Sequence, residues 1–188
     1  MFSTVQRVQN VFGYYTTVIL IVSAIISALS YTQLIQQGAF GIQTRVENQK
    51  LKNVVKFTRR AGSVNNKGKE NVRMNFDLDA DLTPLFNWNT KQVFVYLTAE
   101  YDGGAKRTDI SNKVTFWDKI ILTKEDAILH LRNQRSAYSV YDVQKSFNEN
   151  NATLKLGWNI QPWVGALIFG ESEVVGEPTL QFPGTGRK

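Results

Sequence analysis

Few side chains in this sequence are arranged for catalysis. The single histidine, His130, lies in the alternating run Ile128-Leu129-His130-Leu131. To act as the base of a Ser-His-Asp triad it needs a nucleophilic serine beside it in space. No serine here stands in a G-x-S-x-G context, so the plainer reading is a surface histidine on a strand. A Ser-Lys pair is compatible with the composition, but no spacing marks one. The chain has no cysteine, which removes a thiol nucleophile, a Cys-ligated zinc and a disulfide framework. One histidine is too few for a typical zinc site. Asp77, Asp79 and Asp81 alternate as oxygen ligands for calcium would, yet no glycine and no closing glutamate complete a twelve-residue loop. They read as a solvated strand face. Gly103-Gly104 lacks phosphate-loop spacing and reads as a hairpin turn. The residues therefore assign no catalytic group, no metal and no cofactor.

The residues that could bind something are distributed unevenly. Between Arg45 and Arg73 there are nine Lys or Arg against two acidic residues, whereas Met74 to Lys188 holds twelve basic and fourteen acidic ones. The net charge of +6 is thus concentrated in one stretch. Nucleic-acid binding would call for aromatics interleaved with those cations, and only Phe57 is present between Lys50 and Arg73. Nucleic acid is not an expected partner. Anionic headgroups or an acidic protein remain open for the stretch, as does a plain solvated hairpin. The four tryptophans, Trp88, Trp117, Trp158 and Trp163, read as core or rim residues, with a carbohydrate platform as the sharper alternative. Asn151-Ala152-Thr153 is the one N-glycosylation sequon, which makes Asn151 a candidate glycosylation site if the domain is translocated.

These residues must be positioned by two kinds of element. No charge occurs between Arg7 and Arg45, and within that gap Val11 to Tyr31 is an apolar run. As a helix it would extend about 31 Å, the thickness of a bilayer's hydrocarbon core. Tyr14 and Tyr15 near one end and Tyr31 at the other resemble interfacial belts. A cleaved signal peptide ending at Ala28-Leu29-Ser30 is the alternative. The flanking charges do not separate the two orientations cleanly. The usual layout of a signal anchor would leave residues 1–10 as a cytosolic tail, 11–31 as the span, 32–182 as a lumenal domain and 183–188 as a disordered tail.

Beyond the span the period changes to two. Val72, Met74, Phe76 and Leu78 alternate with Arg73, Asn75, Asp77 and Asp79, a strand with one buried face. Lys91 to Tyr101 is apolar or aromatic on both faces, so a central strand covered on both sides is expected. Val114 to Ile120, Leu154 to Ile160, Val164 to Phe169 and Thr179 to Phe182 follow, with Ile42 to Val46 and Asn53 to Arg60 before them. Turns are expected at Asn65 to Gly68, Asp102 to Gly104, Asn148 to Asn151 and Val175 to Pro178. Lys124 to Tyr141 is ambiguous between a strand and a helical turn. About eight short strands without a strong amphipathic helix predict a mainly all-β chain: one N-terminal transmembrane helix and an antiparallel β-sandwich.

Three segments carry a family resemblance. Asp81-Leu82-Thr83-Pro84-Leu85-Phe86-Asn87-Trp88-Asn89-Thr90-Lys91-Gln92-Val93-Phe94-Val95-Tyr96-Leu97 closely resembles the signature of signal peptidase complex subunit 3. Val114-Thr115-Phe116-Trp117-Asp118-Lys119-Ile120-Ile121 resembles a second family segment, and Trp158-Asn159-Ile160-Gln161-Pro162-Trp163-Val164-Gly165 the C-terminal one in its fungal form. The resemblance implies a type II, single-pass protein of the endoplasmic reticulum with a lumenal β-domain. It implies a non-catalytic accessory subunit whose partners are a Sec11-type serine protease subunit, two small membrane subunits and the lipid bilayer. It also implies a lumenal glycan, which here would fall on Asn151. Within the signature, Leu85, Phe86, Trp88 and Lys91 form the candidate contact with the catalytic subunit, with a plain corner of the fold as the alternative. An autonomous hydrolase, and an anchored binding module for lipid headgroups or glycans, are the competing functions.

Overall fold

A computed structural model of the chain describes residues 3–63, 67–102, 111–142, 147, 150–176 and 178–183. The turns expected at Asn65-Asn66, Gly103-Gly104 and Asn148-Glu149, and the tail beyond Pro183, lie outside them. The chain begins with a helix, α1 (Thr4–Gln36). Ser3 caps it, its hydroxyl accepting the Gln6 N–H at 3.3 Å. Apolar side chains on every side of it are exposed, among them Phe12, Leu20, Ile21, Ile25 and Leu29. A helix that is apolar all round and uncovered by its own protein is suited to lipid, and α1 is long and apolar enough to cross a membrane. It is longer than the expected span, about 50 Å at 1.5 Å per residue, because nothing in Thr32 to Gln36 breaks it. It stops at Gly38, whose φ of 73° supplies the left-handed cap that a side chain would resist.

A one-turn 3-10 helix, Ala39–Gly41, leads into the strands, eight among the described residues: β1 (Gln43–Lys56), β2 (Lys69–Asp81), β3 (Thr90–Asp102), β4 (Ser111–Ile121), β5 (Ile128–Arg135), β6 (Asn151–Pro162), β7 (Ile168–Gly176) and β8 (Thr179–Gln181). They pair in the order β4-β3-β6-β7-β1-β2-β5, with β8 added to β6. β7 joins two halves. Its residues Ile168 to Ser172 pair antiparallel with β6, and Glu173 to Gly176 pair parallel with β1. The segment after β5 closes the opposite side: Ser136 N–H donates to Met74 O, Val140 bridges Val72, and Tyr138 N–H donates to Phe116 O of β4. The result is an all-β sandwich whose pairings are antiparallel apart from β1 with β7.

The period-two pattern decides what fills it. Val72, Met74, Phe76, Leu78 and Ala80 of β2 face Val93, Val95 and Leu97 of β3 and Leu154, Leu156, Trp158 and Ile160 of β6, all buried. The Phe76 and Trp117 rings meet edge to face at 6.0 Å. At the far end Tyr101, Phe147 and Phe182 form an aromatic cluster, the last two stacked at 4.3 Å.

Several elements differ from the sequence pattern. The segments expected at Ile42 to Val46 and Asn53 to Arg60 contribute to one strand, β1, because a bulge between Glu47 and Lys50 carries the pairing through the intervening polar residues. The strand stops at Lys56, and Arg59–Ala61 is a 3-10 turn instead. The ambiguous Lys124 to Tyr141 holds a 3-10 turn, Glu125–Ala127, followed by β5. Val164 to Phe169 is a turn before it is a strand, since Gly165 has φ 121°. β3 is central in its hydrogen bonding, but Phe94 and Tyr96 on its outer face are only half-buried.

Candidate functional site

The catalytic candidates disperse. His130 stands exposed on β5, its Nδ1 2.9 Å from Asp79 Oδ1, and Arg132 donates to the same carboxylate at 2.9 Å. No serine hydroxyl among the described residues bonds His130. The Arg132 and His130 hydrogen bonds hold the Asp79 carboxyl below the usual carboxylate range. Asp77 accepts the Asn133 N–H at 2.6 Å and Asp81 the Thr83 N–H at 3.0 Å. The three alternating aspartates thus each serve a local contact. Among the described residues no cluster of His, Cys, Asp or Glu could hold a metal ion.

The signature segment does converge, on the junction between α1 and the sandwich. It follows β2 as a 3-10 turn, Thr83–Leu85, which Pro84 favours. Leu82 and Leu85 are fully buried and Phe86 nearly so, which pins the loop to the core. Asn87 then reaches the helix: its Nδ2 donates to Ser30 Oγ at 2.9 Å and Ser30 O at 3.1 Å. Its Oδ1 accepts the Asn89 N–H at 2.9 Å and the Thr90 hydroxyl at 3.1 Å. Asn89 holds the turn after β6. Its Nδ2 donates to Val164 O at 2.8 Å, its Oδ1 accepts the Val164 N–H at 3.1 Å, and its backbone O accepts the Trp163 N–H at 2.8 Å. That turn itself touches α1, where a β-carbon on Gly165 would lie 2.6 Å from Ser27 Oγ. Leu34 of α1 is buried in the domain, Tyr31 meets Phe40 at 6.0 Å, and Phe40 meets the core ring of Trp158 at 5.7 Å. Helix and sandwich are therefore one packed unit over the last ten residues of α1.

The four contact candidates part company here. Leu85 is fully buried in the core, whereas Phe86, although mostly buried, forms part of the wall of the groove that Trp88 lines. Trp88 is 59% exposed. It lines a groove with Gln33 and Gln37 of α1, Leu122, Thr123 and Glu125. Lys91 is also exposed, but its ammonium sits 5.3 Å above the ring of Trp163, on the β6–β7 side. The tryptophans divide likewise: Trp117 and Trp158 are core, whereas Trp88 and Trp163 are exposed beside the helix.

The basic stretch and the sequon lie elsewhere. β1 leaves the junction at Gln43 and runs about 40 Å to Lys56. Most of the cations, from Lys50 through Lys69, are thereby carried to the end away from α1, several Debye lengths from the helix. That placement argues against headgroups as their counterpart. Asn151 opens β6 at the same far end, exposed, with Thr153 beside it on the outer face. The outer face of the β4-β3-β6-β7 half is polar towards that end, where Lys155 pairs with Glu100 at 2.7 Å and Lys113 with Glu171. Lys155 and Ser111 hold the Glu100 carboxyl below its usual range.

Sequence reasoning missed Asn87, Asn89, Ser27, Ser30 and Gly165 as the joining residues. Two of them stood inside the quoted signature, but small polar residues in a loop carry no signal of what they bond. The chain matches a family model described as signal peptidase subunit over residues 1–185. It is 48% identical over 178 residues to signal peptidase complex subunit 3 of Debaryomyces hansenii, covering 94% of this chain and 93% of the relative. To the Saccharomyces cerevisiae protein of that name it is 48% identical over 181 residues, 96% of each chain. To the human one it is 29% identical over 189 residues, 98% of this chain and 96% of the relative.

Proposed function

The chain belongs to the signal peptidase subunit family, and from that premise we propose that it is a non-catalytic accessory subunit that scaffolds the Sec11-type serine protease during removal of signal peptides in the endoplasmic reticulum. Membership of the signal peptidase complex implies other subunits as partners. The observation that carries the scaffolding reading is the rigid junction. A β-domain hydrogen-bonded to its own membrane helix through Asn87 presents any docked protein at a set height and angle above the bilayer. A freely hinged domain could not.

The proposed topology is type II, with residues 1–10 cytosolic, the span within α1 around Val11 to Tyr31, and the sandwich lumenal. The exposed sequon at Asn151, remote from the helix, supports that orientation. The proposed partner contact centres on Trp88 in the groove beside Gln33, Gln37 and Leu122. An exposed tryptophan in a concave setting has the character of an interface hot spot, whose truncation typically costs about 2 kcal/mol or more.

The test is co-purification of the complex from detergent with Trp88→Ala in this chain. Recovery of the catalytic subunit should fall about tenfold or more, with the variant's thermal unfolding little changed because Trp88 is mostly exposed. Full recovery with full processing would defeat the contact assignment. Endoglycosidase treatment of the same material reads topology: a mobility shift lost in Asn151→Gln is expected, and an unglycosylated, protease-accessible domain on intact microsomes would reverse the orientation.

A further inference from the structure

The turn between β6 and β7, together with the start of β7, is exposed and apolar where it has no reason to be so in water. Trp163 is 67% exposed, Leu167 54% and Phe169 65%. They follow Pro162 within a run of seven residues. Most of the apolar side chains of β6 are in the core, and other exposed apolar residues of the sandwich, such as Phe57 and Ile120, stand elsewhere; these three are grouped within seven residues of chain beside the helix. Their position relative to α1 is fixed. Gly165, between them, packs directly on Ser27, and its positive φ lets the backbone approach that closely.

Ser27 is inside the apolar run of the helix. Counting from Arg7, the last charge before the run, twenty residues of helix bring the chain to Ser27, about 30 Å and so one hydrocarbon thickness. A span beginning at Val11 instead would carry Ser27 about one helical turn deeper. In either register the turn meets the helix at or within the boundary between headgroups and acyl chains. Lys91 adds the matching polar component. Its ammonium sits over the Trp163 ring face, 5.3 Å from the ring centre, placing a cation beside the apolar patch as in side chains that reach from an apolar boundary towards phosphate.

We infer that the β6–β7 turn is a second membrane element: Trp163, Leu167 and Phe169 insert into the headgroup–acyl boundary of the leaflet that α1 leaves on the domain side, and Lys91 engages lipid phosphate above them. The domain is then held to the bilayer at two points, α1 and this turn, so that its tilt as well as its height is set. The occupant is phospholipid, because the patch is continuous with the lipid-facing surface of α1. The inference rests on α1 crossing the membrane and not on the subunit's role in the complex.

The absence of cysteine allows single-thiol labelling of the full chain. Nitroxide labels at Leu167→Cys, Ile25→Cys and Phe57→Cys would be compared in phosphatidylcholine vesicles containing this chain alone. Relaxation by a water-soluble nickel complex at residue 167 should be about threefold or more weaker than at residue 57, and relaxation by oxygen correspondingly stronger, approaching residue 25. If residue 25 is lipid-exposed and residue 167 behaves like residue 57, the inference is wrong and the anchor stands. If residue 25 is itself in water, anchor and inference both fail. If residue 167 is open to nickel in vesicles and becomes protected only when the other subunits are present, the patch is a protein interface and the lipid assignment is overturned.

Discussion

Asn87→Ala should loosen the domain from its helix. The side chain donates twice to Ser30 and accepts twice within its own loop, one of these from a Thr90 hydroxyl that also reaches Leu85 O. Counting the shared proton once leaves about three full hydrogen bonds, each contributing about 1 kcal/mol net. Asn87 is only half-buried, so water recovers part of this, and the expected loss is about 2–3 kcal/mol. For a domain of about 150 residues that corresponds to a fall of about 4–10 °C in Tm. The assay is thermal unfolding of the full chain in detergent, followed by near-ultraviolet circular dichroism, which reports the packed aromatics and not the helix. Ser30→Ala removes only the hydroxyl acceptor and should cost about 1 kcal/mol. The double variant should fall short of the sum by about 0.5–1 kcal/mol, since both changes delete one shared contact. Spin labels at Ile19→Cys and Phe57→Cys should show a distance distribution that broadens in Asn87→Ala. A Tm change below about 2 °C, full additivity with Ser30→Ala and an unchanged distance distribution would together refute the coupling.

Two further predictions concern titration and catalysis. Burial, and then the hydrogen bond to Asp142, push the Tyr101 phenol well above the ordinary tyrosine range. In the unfolded chain a tyrosine ionises near pH 10, so above that the unfolded state loses a proton that the native state keeps. Stability is fully present below about pH 10 and falls as pH rises beyond it. Urea unfolding from pH 8 to 11 should show this fall, and Tyr101→Phe should flatten it by up to about one proton, at a cost of about 1–2 kcal/mol for the lost bond to buried Asp142. His130→Ala should leave signal-peptide processing by the assembled complex unchanged and alter stability by less than about 0.5 kcal/mol, as for other exposed pairs. A processing rate reduced about a hundredfold would revive His130 as a catalytic base.

The local elements were legible because each depends on its own residues. An apolar run free of charge from Arg7 to Arg45 can be satisfied only as a helix in lipid, and strict alternation in Val72 to Leu78 can bury only one face of a strand. The family resemblance was legible for a related reason, since it lies in contiguous segments. Tertiary structure alone decided the rest. It sorted the tryptophans, because Trp158 and Trp163 share one segment yet one points into the core and the other stands at a turn. It separated Leu85 from Phe86 and Trp88, and both from Lys91, four neighbours in sequence that meet the core, the groove and another tryptophan. It joined β1 to β7 in parallel, a pairing across more than a hundred residues that no local period encodes. It also carried the far end of the basic stretch, at Lys56 and beyond, about 40 Å from the helix that the stretch follows so closely in sequence, because one long strand intervenes. A side chain's type states what it can bond to. Which partner it finds, Asn87 with Ser30 or Lys91 with Trp163, is a property of the folded chain.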